Sequence, residues 1–391
     1  MPDRLNLVVD TMSEVYDLLK PWITHEFWDL DNHDMIPNSV YVFGRKQFVG
    51  YYDRIRELAH DPRYVLVFDN AAEGSTTMIA QLAVLRMTDL VQQGRILLIS
   101  GGALPPEYPH IVYDHFLSEI TNYDENITAS RRVDEIFTWH NKPHTFLFLN
   151  GRSRPHRKYL WERLRQERLL DRALWTMLDS RPAVSADFTL PSRPWGDRMA
   201  QDSQIRTLPY KYEYPEWRQS VIISGPGGGG FIKNQLFDNK WGEIYLQTEP
   251  YRDTYFSLVT ETVYETNHSF RTEKIAKPLL QGHPWICAAN PGFYRDMRNL
   301  GFRSFGDLID ESFDTIEHHQ TRMDRIMDVI RDLVSQDLNK FIMAARATCI
   351  YNQQHLLQLV PDLRQHFPRD FFGFLYERLG LPQTSIGHYQ P

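Results

Sequence analysis

The segment Phe256–Asp314, FSLVTETVYETNHSFRTEKIAKPLLQGHPWICAANPGFYRDMRNLGFRSFGDLIDESFD, decides the fold class. Its apolar start, Phe256 to Thr260, reads as a buried strand. A polar loop follows. Thr272-Glu273-Lys274 then opens a helix, with threonine at the cap and an acid in the first turn. Gly282-His283-Pro284 breaks the helix, and the apolar run after it reads as a second strand. A Gly-containing turn and another helix complete a β-α-β-α pattern. Such units build parallel sheets. In open parallel sheets ligands bind where strands end and helices begin, because helix N-termini aim backbone donors at anions.

The same alternation extends upstream. Tyr64 to Phe68 reads as a short buried strand that ends in Asp69-Asn70-Ala71-Ala72-Glu73-Gly74-Ser75. Ser75 suits the cap of a helix over Thr76–Gln92, which Gly94 stops. Arg95 to Ile99 is the next strand, and Tyr113 to Ile120 a helix. Residues 121–143 are polar and mark a domain boundary. Thr145 to Leu149 opens a second α/β unit, ending in Asn150-Gly151-Arg152-Ser153-Arg154-Pro155-His156-Arg157. Pro155 fits the first turn of a helix that runs to about Leu170. Residues 180–218, rich in proline and aromatics, read as a long connection, with short strands at Val221–Ile223 and Ile244–Leu246.

Toward the ends the pattern changes. Val8 to Leu19 has helical apolar spacing closed by Pro21. Past Asp314 the chain reads as helices over Arg322–Val334, over Leu338 to about Leu359 with Pro361 as the stop, and over Phe371–Leu379. These elements predict an α/β protein with two Rossmann-like domains facing across a cleft and a helical C-terminal region. The domains fall at 1–143, 144–335 and 336–391.

Composition bounds the function. With 391 residues, two domains are the natural expectation. The net charge of −7 excludes a whole-surface nucleic-acid footprint while leaving room for a local basic cleft. Cys287 and Cys349 are the two cysteines, both in apolar contexts, which reads as reduced core residues and not a disulfide frame. The first residues carry acids within their apolar pattern and lack a signal-peptide core. No run reaches the ~18 apolar residues a membrane helix needs. A cytoplasmic protein without a membrane span is the expectation.

Three clusters can carry chemistry. Glu273 and Lys274 open a helix after a strand and a loop; a carboxylate there takes ribose hydroxyls and a lysine meets a diphosphate. The same residues also read as a dipole-complementing acid and a solvated lysine behind a Thr272 cap. Asn150 to Arg157 crowds cations at a helix start, which is costly unless an anion or nearby acids balance them. Glu73, beside Asp69 at a strand end, can act as a general base toward a hydroxyl, or the segment simply caps its helix. Two further motifs have weaker readings. The run Ser224 to Gly230 lacks the Gly-Lys-Ser/Thr ending of a phosphate loop and reads as a flexible loop. Asp29, Asp31, His33 and Asp34 have metal-ligand chemistry but are the residue types that cap turns, so no metal is expected.

Phe270-Arg271-Thr272-Glu273-Lys274-Ile275-Ala276-Lys277-Pro278-Leu279-Leu280-Gln281-Gly282-His283-Pro284 resembles the donor-site signature of fucosyltransferase-like, GT-B glycosyltransferases. The run Phe302 to Asp314 and the segment Phe146–Arg157 are similar to parts of uncharacterised, often phage-encoded, glycosyltransferase-like proteins. The likeness covers roughly residues 144–335. It implies a nucleotide-sugar donor, transfer to an acceptor hydroxyl with inversion, and no metal or other cofactor. Glu273 would hold the donor ribose. Lys274, with Arg157, Arg154 and Asn150, would meet the diphosphate, and Glu265 and Arg271 would border the donor sugar. Glu73 would be the base, although no family motif surrounds it. The acceptor would be a glycan, a protein or DNA. DNA draws on the segment 152–172, which holds seven arginines and Lys158 against three acids. A non-catalytic nucleotide- or glycan-binding protein is the remaining alternative.

Overall fold

Leu7-Val8-Val9 shows how the first unit is built, and it corrects the helix expected over Val8–Leu19. In the computed structural model, which describes residues 4–138, 140–150, 154–176, 246–266, 268–383, 386, 387 and 389, these residues lie in strand β1, Asn6–Asp10. Leu7 and Val9 pack on one face of the sheet and Val8 on the other. A parallel strand buried on both faces reads as a continuous apolar run. The Val8/Met12/Val15/Leu19 spacing imitates a helix, but helical backbone is confined to Tyr16–Leu19 and a following 3₁₀ turn.

The remaining strands of this unit are β2 (His25–Phe27), β3 (Ser39–Phe43), β4 (Tyr64–Asn70), β5 (Ile96–Ser100) and β6 (His110–Val112). They form one sheet in the order β2-β1-β3-β4-β5-β6, and every pair is parallel. Val8 pairs with Tyr41, Tyr41 with Leu66 and Leu66 with Ile96, which lines up one apolar face. The helix after β4 starts at Ser75 with Gly74 as its cap, and it ends at Val84 instead of running to Gln92. Arg86 takes a left-handed φ of 55°, and Met87 N–H returns to the Leu82 carbonyl, so a separate helix, Thr88–Gln92, begins.

The opposite face is covered from the far end of the chain. A single helix runs from Leu338 to Leu379, straight through Pro361, where a stop was expected, and through Pro368. Each internal proline costs ~3 kcal/mol. Phe367, Phe371, Phe372 and Leu375 bury against Val9, Val42 and Val67, and at ~2 kcal/mol or more each they offset that penalty. Phe371–Leu379 is therefore part of this long helix and not a separate one.

The second unit holds β7 (His144–Phe148), β8 (Leu174–Trp175), β9 (Thr254–Thr260) and β10 (Trp285–Ala288) in the order β10-β9-β7-β8, again all parallel. The two compact units divide at Ser118/Glu119, not near residue 143: Met1–Ser118 with Leu359–Pro391, and Glu119–Gln358. The segment around Asp124–Ser130 joins the second unit because its polar groups are satisfied there. Asn126 Oδ1 accepts from Leu246 N–H at 2.8 Å, and Gln353 Nε2 donates to the Ser130 carbonyl at 2.8 Å. The helical C-terminal region is likewise no separate extension, since its residues up to Gln358 count with the second unit and the rest with the first. The chain is thus an α/β protein with parallel sheets and a helical C-terminal region. The Gly run at 224–230, the strand expected at 221–223, the connection 180–218 and Arg152 lie outside the described residues.

Candidate functional site

In the second unit the chain leaves β7 toward β8 on one side, and β9 and β10 lie on the other. The gap between the ends of β7 and β9 is therefore a topological switch point, where open parallel sheets place ligands. Asn150 sits at the end of β7. Its N–H donates to Thr176 Oγ1 at 2.9 Å, and its side-chain oxygen accepts from Thr260 Oγ1 at 3.1 Å. Its Nδ2 is buried and, among the described residues, has no hydrogen-bond partner. A buried amide left with an open donor costs about 1–3 kcal/mol, and such groups concentrate at working sites.

Glu261 sits opposite, just past the end of β9, and is fully buried. Its carboxylate accepts from Thr272 N–H at 3.1 Å, Thr272 Oγ1 at 2.7 Å and Thr262 N–H at 3.0 Å. Burial raises its pKa, against the pull of Lys274 and the Thr272 bonds. Its carbonyl receives His156 Nε2 at 2.8 Å and Arg157 Nη2 at 3.2 Å. Both donors come from the helix Pro155–Gln166, which Arg154 caps. Burial, then the Arg157 charge, holds His156 neutral, and its ring stacks on Tyr264 with centroids 5.1 Å apart.

The helix Glu273–Gln281 begins at this edge. Thr272 is its cap and accepts from Lys274 N–H at 3.3 Å. The Lys274 ammonium pairs with the Glu273 carboxylate and donates to Thr272 Oγ1 at 3.2 Å. Burial pushes the Glu273 carboxyl up, but the charge and hydrogen bond of Lys274, together with Lys277, outweigh it and hold the pKa at about 2. Burial lowers Lys274, opposed by Glu273 and reinforced by the charge of Arg157. Lys277 is lowered by burial to about 8.

The structure therefore brings Asn150, Arg154, Arg157, Glu273 and Lys274 to one sheet edge in one unit. Glu265 and Arg271 lie on the loop from β9 to the helix Glu273–Gln281. Glu265 acts electrostatically on Tyr264 and Arg322, and Arg271 is buried directly before the Thr272 cap. Sequence reasoning passed over Glu261 and gave Lys277 no role. The signal for Glu261 was an acid closing the otherwise apolar strand FSLVT; Lys277 had only its one-turn spacing from Glu273. The basic run on and just after the helix Pro155–Gln166 is largely engaged. Lys158 is buried, Arg163 bonds Asp324 at 2.9 Å and Arg168 bonds Asp171 at 3.0 Å.

Glu73 lies in the first unit, three residues beyond β4, with its carboxylate paired to Arg45. Asp10 and Asp69 are two of the buried acids at that sheet edge. Asp10 accepts from Met12 N–H at 2.9 Å and Gly44 N–H at 3.0 Å, and burial raises it to about 6. Asp69 accepts from Ser13 Oγ at 2.6 Å, Val15 N–H at 3.1 Å and Ala71 N–H at 3.1 Å; burial raises it too. Asn70 beside it is buried, and among the described residues both its amide atoms lack a partner. Asp29 caps a 3₁₀ turn, accepting from Asp31 N–H at 3.2 Å and from Tyr51 OH at 2.6 Å. Among the described residues no group of three or more His, Cys, Asp or Glu side chains is disposed to hold a metal ion, and no helix is long and apolar enough to cross a membrane.

The second unit is thus a parallel α/β unit with a buried, charged site at its strand ends. No protein-family model, curated protein or solved structure matches the chain.

Proposed function

We propose that the strand-end edge of the second unit binds the nucleoside-diphosphate part of a sugar nucleotide, and that the protein is a glycosyltransferase whose two Rossmann-like units face one another across a cleft. One observation carries this reading: Asn150, Arg157, Glu273 and Lys274 converge with a capped helix N-terminus at the β7/β9 switch point. A carboxylate beside two cations at such a point suits a ribose next to a diphosphate. Glu273 takes the ribose hydroxyls, Lys274 and Arg157 the phosphate oxygens, and Asn150 Nδ2 supplies a further donor. Arg154, Glu265 and Arg271 border the bound donor.

The acceptor hydroxyl gives its proton to a first-unit carboxylate, for which Glu73 is the candidate. The acceptor oxygen bonds to the anomeric carbon as the bond from that carbon to the phosphate oxygen breaks, with inversion. The electron pair leaves with the diphosphate, whose growing charge the cations stabilise without a metal. The acceptor is a glycan or protein hydroxyl; the internal pairing of Arg163 and Arg168 gives a DNA phosphate track less support. Calorimetry with GDP, UDP, ADP and CMP tests the reading. At least one diphosphate binds, and Glu273→Ala and Lys274→Ala abolish binding. Unchanged affinity in both variants sinks the assignment, and binding without turnover of any sugar nucleotide leaves a binding protein in its place.

A further inference from the structure

Lys277 lies one turn into the helix Glu273–Gln281 and is buried. Helical side chains lean back toward the N-terminus, so a lysine here extends toward the turn that carries Glu273 and Lys274. Glu273 and Lys274 are indeed the two charges that act on it. Yet the Glu273 carboxylate is already taken by Lys274, and among the described residues no hydrogen-bond or ion-pair partner engages the Lys277 ammonium. Packing does not call for a lysine, since Ile275, Ala276, Leu279 and Leu280 supply the helix with buried apolar groups. The residue is 8% exposed, yet its Nζ is not among the fully buried polar atoms that lack a partner, so the ammonium at the tip is open to a ligand. A ligand anion would supply the missing partner.

We propose that Lys277 is a third cation of the nucleotide site, binding a phosphate oxygen of the nucleoside diphosphate that Lys274 and Arg157 also hold. This rests on the reading of the edge as a nucleoside-diphosphate site. The charged groups around Lys277 are Glu273 and Lys274 on its own helix. Beyond Lys274 lie Glu261 after β9 and Arg157 from the helix Pro155–Gln166. The segment Asp124–Ser130 packs on the same helix and its Ala129 carbonyl accepts from Gln281, while its Ser130 carbonyl accepts from Gln353 of the helix Leu338–Leu379. None of these neighbours bonds to the ammonium.

The test is calorimetric titration of the full chain with UDP and GDP at pH 7 and pH 9, for wild type, Lys277→Met and Lys277→Arg. Losing a charge-assisted bond to phosphate weakens the Met variant by about tenfold or more at pH 7. Because burial holds Lys277 at about 8, wild type loses more affinity between pH 7 and 9 than the Met variant does. The Arg variant stays charged and keeps its affinity better than wild type at pH 9. Without ligand, the Met variant melts no lower than wild type, since among the described residues no hydrogen bond or ion pair is lost. Wild-type affinity and pH profile in Lys277→Met overturn the inference while leaving the site reading intact. So does a lower melting temperature with unchanged affinity, which would make the lysine structural. Should the Met variant fail to fold, the Arg variant decides: a decline to pH 9 equal to that of wild type overturns the proposal. If wild type binds neither diphosphate, the site reading itself falls and takes this inference with it.

Discussion

Both units present acids at the C-terminal ends of parallel strands, yet they use them in opposite ways. In the first unit Asp10 and Asp69 are occupied by backbone N–H groups and the Ser13 hydroxyl. They lock the turns after β1, β3 and β4, and among the described residues neither bonds a cation. In the second unit Glu261 and Glu273 share a buried space with Lys274, Lys277 and Arg157. There, among the described residues, Asn150 Nδ2 is buried without a partner and no hydrogen bond or ion pair engages the Lys277 ammonium. The first edge satisfies its two acids internally, although Asn70 beside Asp69 keeps both amide atoms without partners among the described residues. The second edge sets its acids against cations. The difference lies in what faces the acids, backbone donors or opposed charges.

The largest effect is expected where a charge is removed from the second edge. Lys274→Ala leaves Glu273 and Glu261 buried without their cation, and breaking one partner of a buried pair costs about 3–5 kcal/mol. Denaturant unfolding should show that loss, and diphosphate binding should vanish with it. Glu73→Ala, at a partly exposed pair with Arg45, should cost at most ~1 kcal/mol. A similar stability loss in the two variants would erase the contrast.

Asp10 and Glu273 should also respond to pH in opposite directions. Asp10 is raised from 3.8 to about 6, so between those values the folded chain holds a proton that the unfolded chain releases. Its contribution falls as pH rises through that window, by on the order of 3 kcal/mol. Glu273 is held at about 2 against an ordinary 4.5, so its contribution is complete above 4.5 and is lost as pH falls toward 2. Urea midpoints measured from pH 3 to 7 separate the two. Asp10→Asn should flatten the slope between pH 4 and 6, and Glu273→Gln should remove the loss below 4.5. An unchanged slope in Asp10→Asn would place the acid response elsewhere.

A smaller effect belongs to the first edge alone. A Cβ on Gly44 would lie 2.8 Å from the Met12 carbonyl oxygen and 2.9 Å from Asp10 Oδ2. Backbone and a doubly bonded carboxylate cannot move aside cheaply, so Gly44→Ala should destabilise by about 1–3 kcal/mol in thermal unfolding. A neutral result would mean that the β1 and β3 turns yield, and that Asp10 is a looser lock than its bonds indicate.

The sequence made legible what depends on local pattern. The apolar runs gave β4, β5, β7, β9 and β10, and Thr272-Glu273-Lys274 opened a helix at the position expected. β1 was hidden because Leu7-Val8-Val9 is too short to contradict the helical spacing that continues to Leu19. The break at Arg86 was hidden because it needs a left-handed residue that is not glycine. The boundary at Ser118 was hidden because it depends on which unit satisfies Asn126 and Ser130. At the site, the residue types of Glu273 and Lys274 were readable. Whether Lys277 has a partner, or Glu261 is buried, depends on elements more than a hundred residues away in sequence, such as Arg157.

The long helix offers the smallest test and carries the comparison into a single element. Its second-unit part, to Gln358, contains no proline, whereas Pro361 and Pro368 both fall in the part that counts with the first unit. Proline inside a helix removes a backbone bond and clashes with the preceding turn, which bends the axis. Any bend that Pro361 imposes falls before Phe367, Phe371 and Phe372, which seat on the sheet face made by Val9, Val42 and Val67. If the bend merely survives because those rings are buried, Pro361→Ala restores the missing N–H and raises the melting temperature slightly, worth ~1 kcal/mol or less after the unfolded chain regains flexibility. If instead the bend sets the angle at which the rings reach the sheet, straightening the helix lifts them from the core and the same variant melts lower. The sign of one small shift therefore tells whether the first unit tolerates its prolines or depends on them.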